Sequence, residues 1–224
     1  ENVLLTAIIL ISFSVFNEEI FNFIFSNLSI IVFIMFTKKN NYFLFIENIK
    51  DIDLKNIKIR NKFSIIYRNN KKIDHFGNLL EFRRKCKLKG IKLYIANNNN
   101  LAVLLNSDGI YLSSFNKSLS SLSYKKLNYE IIGSAHNLNQ IYLKKKQGCS
   151  FILLSKLFVV NYDKEAPCLG VLKFNNFTKI SKKLIPLGGI NAKNLNQLKN
   201  VQCEGFAIMS EVKKKPAKIF SRLF

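Results

Sequence analysis

Tryptophan is absent from the sequence, and proline occurs only three times in 224 residues. With so few enforced breaks, regular elements can follow one another closely along the chain. Acidic residues are scarce too: 14 Asp and Glu stand against 35 Lys and Arg, a formal net charge of +21 at pH 7. Such an excess ordinarily raises nucleic acid or an anionic membrane as a partner. Here 30 of the basic residues are Lys, Asn is abundant and Phe numbers 20, a composition expected of AT-rich codons. The lysines are spread over every expected surface helix, without the interleaved aromatic platform that single-strand binders use. The expectation is therefore no nucleic-acid partner. Cysteine is limited to Cys86, Cys149, Cys168 and Cys203, too widely spaced for a CxxC metal pair or redox dithiol. These read as reduced, mostly buried thiols of a cytoplasmic protein.

Basic residues are missing altogether from residues 1–37, whose only charges are Glu1, Glu18 and Glu19. This stretch holds two apolar runs, 3–16 and 20–36. The first is short for a bilayer, and the second is interrupted by Asn22, Ser26, Asn27 and Ser29. No basic residue precedes the apolar run and no small-residue cleavage site follows, so it is not a secretory signal. Met35 falls where the composition changes. The preferred reading takes residues 1–34 as untranslated upstream sequence; a membrane hairpin flanked by Lys38 and Lys39 is the other reading, and membrane contact is expected only if residues 1–34 belong to the protein. Residues 35–224 are then one domain.

Within that domain, short runs rich in Ile, Phe, Tyr and Val recur with helical or polar stretches between them. Eight are visible, beginning near Tyr42, Phe63, Lys92, Gly109, Ile131, Phe151, Ile185 and Gly205. Runs that are apolar on both faces suit buried parallel strands. Intervening stretches such as 76–89 and 191–199 have polar starts and amphipathic spacing, as covering helices do. The connection 47–62 is too short for a full helix plus loops. Repeated βα units predict an α/β fold, a (β/α)8 TIM barrel with a short first unit, and a doubly wound open sheet is the runner-up.

In such a barrel, function gathers where the strands end, at their C-terminal tips. After the seventh run comes Leu187-Gly188-Gly189-Ile190-Asn191, where glycines let backbone approach a ligand and Asn191 can cap the next helix. Ile208-Met209-Ser210 follows the eighth run. These two loops form the common phosphate cradle of the fold. The fifth run leads into Gly133-Ser134-Ala135-His136-Asn137. His136 is a candidate acid or base, imidazoles titrating near neutral pH, or else a residue that only packs at a helix start. His75 opens a surface helix and is expected to be solvated. Arg68, after the second run, is one of only five arginines and offers a planar fork for phosphate or for a salt bridge at the rim.

Three of these stretches taken together, Ile132 through His136, Pro186 through Ile190 and Gly205 through Ser210, resemble the thiamine-phosphate synthase and thiazole tautomerase superfamily. The likeness extends through Leu101-Ala102 and Ser107 to Leu112, and covers roughly residues 63–212. It implies an enzyme of thiamine biosynthesis whose partners are phosphorylated thiazole and pyrimidine metabolites; association into a homo-oligomer is allowed. Synthases of this family join a pyrimidine pyrophosphate to a thiazole phosphate and release pyrophosphate with the help of Mg²⁺, whereas the tautomerases move a proton on the thiazole without metal. By resemblance, Ser134, Gly188, Gly189, Met209 and Ser210 contact phosphate, and Arg68 is the arginine of a Gln-x-Arg-x-Lys motif. Ile66 and Asn70 stand at the other two positions of that motif. The family's Asn-Asp after the third strand reads Ala96-Asn97, and its aspartate after the fourth reads Asn116. Both expected metal carboxylates are thus amides, poor substitutes for holding a hard cation. The Thr-x-Thr-Lys element is absent near Val159-Val160-Asn161-Tyr162. Three functions follow: a synthase with an eroded metal and pyrophosphate half, with His136 and Arg68 as catalytic residues; a metal-independent tautomerase in which His136 shuttles the proton; or a non-catalytic barrel that binds a phosphometabolite.

Overall fold

A computed structural model describes residues 41–57, 61–69, 73–160, 163, 165–191 and 193–209. Residues 1–34, and with them the membrane reading, lie outside this set, as do Asn70, Asn161, Tyr162 and Ser210. The described elements run β1 (Asn41–Ile46), β2 (Phe63–Tyr67), α1 (Phe76–Leu88), β3 (Lys92–Ala96), α2 (Asn99–Leu104), β4 (Gly109–Leu112), α3 (Ser121–Lys126), β5 (Glu130–Ala135), α4 (Leu138–Lys146), β6 (Phe151–Ser155), α5 (Gly170–Thr178), β7 (Leu184–Leu187) and β8 (Gly205–Ile208). Each strand pairs in parallel with the next, and β1 pairs with β8, so the sheet closes. Closure rules out the open-sheet alternative and leaves no strand edge exposed.

The strands form because both of their faces are covered. Every residue of β2, β4, β7 and β8 is buried. Inside the ring, Phe43, Phe45, Ile66, Tyr94, Tyr111, Ile132, Leu153, Ile185, Leu187 and Ala207 pack into one core. Each large side chain buried there contributes about 1.5–3 kcal/mol. Because side chains alternate along a strand, the inward set has a fixed parity, and that parity decides which residues beyond the strand ends point toward the barrel axis.

Two connections depart from a full helix. Between β1 and β2 the described residues form two 3-10 turns, Ile49–Asp51 and Leu54–Asn56, in keeping with the short spacing. Asn48 accepts from the Lys50 amide at 2.8 Å, and Asp51 accepts from the Glu47 and Asn48 amides at 2.8 and 3.0 Å, closing a capping box. Between β7 and β8, the expected helix over 191–199 is instead a 3-10 segment, Leu195–Asn200. Here Asn191 accepts from the Lys193 amide and Asn194 from the Asn191 amide, both at 2.9 Å. Asparagine side chains that satisfy nearby backbone in this way compete with helix initiation.

Two further expectations are corrected. The cysteines are not mostly buried: Cys86 is, Cys149 and Cys203 are half-buried, and Cys168 is exposed. Nor do all the lysines face solvent, since Lys144 on α4 is fully buried. Its stem passes Gly133, where a Cβ would come within 2.7 Å of Lys144 Cδ, so glycine is required for that passage. Its ammonium donates to Ser113 O at 2.7 Å, Asn116 O at 2.8 Å and Gln147 Oε1 at 2.8 Å. Gln147 adds bonds to Asn116 O and Ser118 O at 3.0 and 2.7 Å, so the β4–α3 loop is fastened from below. Burial pulls the Lys144 ammonium below the ordinary lysine range. At the opposite end of the barrel, Glu130 accepts from Lys92, Tyr94 and Ser150 at 2.8, 2.7 and 3.0 Å. Burial alone would raise its carboxyl, but these donors and the Lys92 charge outweigh it and hold the group below the usual carboxylate range.

Candidate active site

A cavity of about 260 Å³ opens among the C-terminal ends of the strands. It is the upward continuation of the core parity. Ile66, Tyr111, Ile132, Leu153, Leu187 and Ala207 belong to the core, and two residues further along their strands lie Arg68, Ser113, Ser134, Ser155, Gly189 and Met209, all lining the cavity. His136 is one more step of two beyond Ser134. Period-two geometry therefore carries a hydrophobic interior into a polar mouth.

The lining holds two cations, Arg68 and Lys156, beside the His136 imidazole, and among the described residues no carboxylate. Arg68 Nε is buried and has no hydrogen-bond partner among the described residues. A buried charged donor left unpaired costs at least about 1–3 kcal/mol, which an anion accepting from it would relieve. Lys156 reaches Asp163 at 2.9 Å at the rim. Tyr111 forms part of the floor; burial pushes its phenol above the ordinary value, with a Ser134 hydrogen bond and the Arg68 charge pulling the other way, so it stays a proton donor.

The turn after β7 is shaped by two glycines with φ of +94° at Gly188 and +70° at Gly189. A Cβ at Gly189 would also collide with the Phe158 carbonyl, so two independent constraints demand glycine there. Asn191 and Asn194 both donate to the Gly189 carbonyl, at 3.1 and 2.7 Å, and hold the turn. The Gly188 carbonyl accepts from the Phe158 amide at 3.1 Å.

On the far rim, His136 Nδ1 lies 2.9 Å from Ser155 Oγ and 3.3 Å from Ser155 O. The His136 amide donates to Gln140 Oε1 at 2.7 Å, and Asn137, not His136, caps α4 by accepting from the Gln140 amide at 3.0 Å. The histidine is thus held but is no cap. His75 stands exposed at the start of α1 without a side-chain cap bond, as expected.

Of the residues singled out from sequence, the cavity brings together Arg68, Ser134, His136, Gly188, Gly189 and Met209. It does not include Asn97 or Asn116. Asn97, with φ of 52°, accepts from the Ser113 amide at 3.0 Å and from Asn116 Nδ2 at 3.3 Å, so the two amides are tied to each other. Among the described residues, no group of three or more His, Cys, Asp or Glu is placed to hold a metal ion. Sequence reasoning missed Ser113, Phe115, Ser155 and Lys156 as cavity residues, together with the role of Tyr111 in its floor. The inward parity would have found Ser113 and Ser155.

Fold and cavity together define a (β/α)8 barrel with a glycine turn after β7 and a cavity at the C-terminal strand ends whose described lining holds Arg68 and Lys156 and no carboxylate. The family model described as thiamine monophosphate synthase matches residues 31–212, and the chain belongs to that family. Its similarity to a thiamine-phosphate synthase of Prochlorococcus marinus subsp. pastoris is 31% identity over 140 residues, covering 61% of this chain and 40% of that protein. A thiamine-phosphate synthase of Methanococcus maripaludis is 25% identical over 144 residues, covering 63% of this chain and 68% of the relative. The chain thus spans about two fifths of the length of the Prochlorococcus relative. In fold it is similar to a thiamine phosphate pyrophosphorylase from Pyrococcus furiosus, with a TM-score of 0.65 and 14% identity over 83% of this chain and 94% of that one. No helix among the described residues is long and apolar enough to cross a membrane.

Proposed function

We propose that this chain is an enzyme of thiamine biosynthesis, a transferase that takes a thiazole phosphate into the cavity and joins it to a pyrimidine pyrophosphate, releasing pyrophosphate. Ser134, the Gly188–Gly189 turn and Met209 hold the thiazole phosphate, and Arg68 holds the pyrophosphate. The observation that carries this reading is the buried Nε of Arg68, unpartnered among the described residues, in a cavity also lined by the glycine turn. One ligand phosphate at the turn leaves the arginine unsatisfied; a second anion satisfies it. The setting is cytoplasmic, and the partners are the two small phosphorylated metabolites.

The donor set does not fit a resident Mg²⁺. Asn97 and Asn116 stand where the family resemblance places carboxylates, and their side chains are bonded to each other. The fully buried Lys144 ammonium also lies 2.8 Å from the Asn116 carbonyl. A hard divalent cation needs anionic oxygens, and a neighbouring fixed positive charge disfavours it further. In this proposal, charge on the pyrophosphate is met by Arg68 and Lys156.

A second reading is favoured by the His136–Ser155 contact: a metal-independent tautomerase that uses only the thiazole half and moves one proton through His136. Supplying both substrates to the full chain, with Mg²⁺ or with EDTA, separates the readings. Thiamine phosphate formed in both conditions supports the metal-free transferase. Product only with Mg²⁺ contradicts the account of the amides, and no product in either condition while thiazole tautomers interconvert moves the assignment to the second reading. Asn97→Asp combined with Asn116→Asp is expected to introduce a Mg²⁺ dependence that the parent lacks.

A further inference from the structure

The contact between His136 and Ser155 says more than that a histidine sits at the mouth. The two residues are cross-strand neighbours: Ala135 on β5 pairs with Leu154 on β6, and one step further His136 faces Ser155. Ser155 presents two oxygens to the same ring nitrogen, its hydroxyl at 2.9 Å and its own backbone carbonyl at 3.3 Å from Nδ1. A carbonyl oxygen can only accept. With the proton on Nδ1, the ring donates to both oxygens. With the proton on Nε2, the Nδ1 lone pair would point at the carbonyl lone pairs, and only the hydroxyl bond would survive. The backbone is held as well, since the His136 amide donates to Gln140 Oε1 at 2.7 Å.

We infer that Ser155 is a positioning residue that fixes His136 as the Nδ1–H tautomer and leaves Nε2 bare as the proton acceptor of the cavity. This rests on the reading that the cavity handles a phosphorylated thiazole, but the assignment itself is a property of the free protein. In the tautomerase reading, the proton leaves a carbon of the bound heterocycle for Nε2, its bonding electrons remain in the conjugated system, and the imidazolium returns the proton to a second atom of that system. The positive charge that forms meanwhile is stabilised through Nδ1–H by both Ser155 oxygens. The serine hydroxyl, relieved of donating to the ring, keeps its own proton for the ligand side. This arrangement uses one residue where serine hydrolases place a separate carboxylate behind the imidazole.

The test is long-range ¹H–¹⁵N NMR on the full chain with labelled histidine, at a pH where the rings are neutral. His136→Gln identifies the signals, and exposed His75 serves as the internal reference. Free histidine favours the Nε2–H form, which makes the other form diagnostic. The expected result is Nδ1–H at His136, retained in Ser155→Thr and shifted toward the Nε2–H form in Ser155→Ala. Turnover of the thiazole phosphate in Ser155→Ala should fall about tenfold in kcat with KM nearly unchanged, a loss of about 1.4 kcal/mol in the transition state, and recover in Ser155→Thr. An Nε2–H ring in the parent, or an Ser155→Ala spectrum identical to the parent's, overturns the assignment. An Nδ1–H ring in a protein that never turns over a thiazole leaves the assignment standing and removes the functional reading instead.

Discussion

Two arcs of the barrel mouth start from the same strand geometry and end in opposite states. From β5 to β8, residues of inward parity open into a cavity: Ser134, His136, Ser155, Gly189 and Met209 all present themselves to a ligand. Beside β3 and β4, Ser113 still lines the cavity, but Asn97 and Asn116 lie outside it. Asn97 and Asn116 bond each other, and Lys144 with Gln147 spends its hydrogen bonds on the carbonyls of the loop between Ser113 and Ser118. The first arc turns its polar groups toward the cavity, with His136 and Ser155 bonded to each other, whereas the second turns them onto its own loop.

The sharpest way to break this comparison is Arg68→Met. Removing a charge-assisted bond to the pyrophosphate should weaken inorganic pyrophosphate binding by about 2–3 kcal/mol, about 30- to 150-fold, in a calorimetric titration. Thiazole phosphate affinity should hardly change, and the ligand-free protein should melt no lower, because the arginine Nε it loses was unpartnered. Equal loss for both ligands would place them in one subsite and dissolve the distinction.

Lys144→Met probes the other arc. It leaves Ser113 O, Asn116 O and Gln147 Oε1 without the ammonium, and should lower unfolding stability by about 2–4 kcal/mol in denaturant titrations. Thiazole phosphate binding should survive under folding conditions, since that ligand belongs to the opposite side. Gly189→Ala is expected to lose both stability and binding. Strain at a φ of +70° and the clash with Phe158 should cost about 1–3 kcal/mol and take the thiazole phosphate affinity with it.

The smallest effect concerns pH. Burial holds the Cys86 and Cys149 thiols up at about 12, from an ordinary value of 9.0. A folded-state value raised above the unfolded one means the folded form keeps its proton longer. The stability contributed is complete below pH about 9 and is lost as pH rises from about 9 to about 12. Melting temperature should therefore decline over that window and decline less in Cys86→Ala. Exposed Cys168 should be alkylated well before buried Cys86 or half-buried Cys149.

The barrel was legible because its strands are buried on both faces and read as uninterrupted apolar runs, and the glycine turn after β7 was legible because left-handed backbone narrows the choice of residue. The 3-10 segment Leu195–Asn200 was not, since amphipathic spacing does not register that Asn191 and Asn194 satisfy their own backbone. Lys144 was misread as a surface lysine for a similar reason: no periodicity reports that Gly133 clears a path for its stem. Within the site, Arg68, His136 and Gly189 carried their own signal as rare or special residue types. Ser155 and Ser113 looked ordinary, and only the inward parity of their strands gives them a place in the cavity.

The central claim, that the thiazole half of the mouth is open for business while the metal half has closed on itself, is tested most directly by titrating the full chain with thiazole phosphate in EDTA and again in excess Mg²⁺. The account predicts saturable binding with the same affinity in both, abolished by Gly189→Ala. Binding that appears only with Mg²⁺, or that Gly189→Ala leaves untouched, would contradict it.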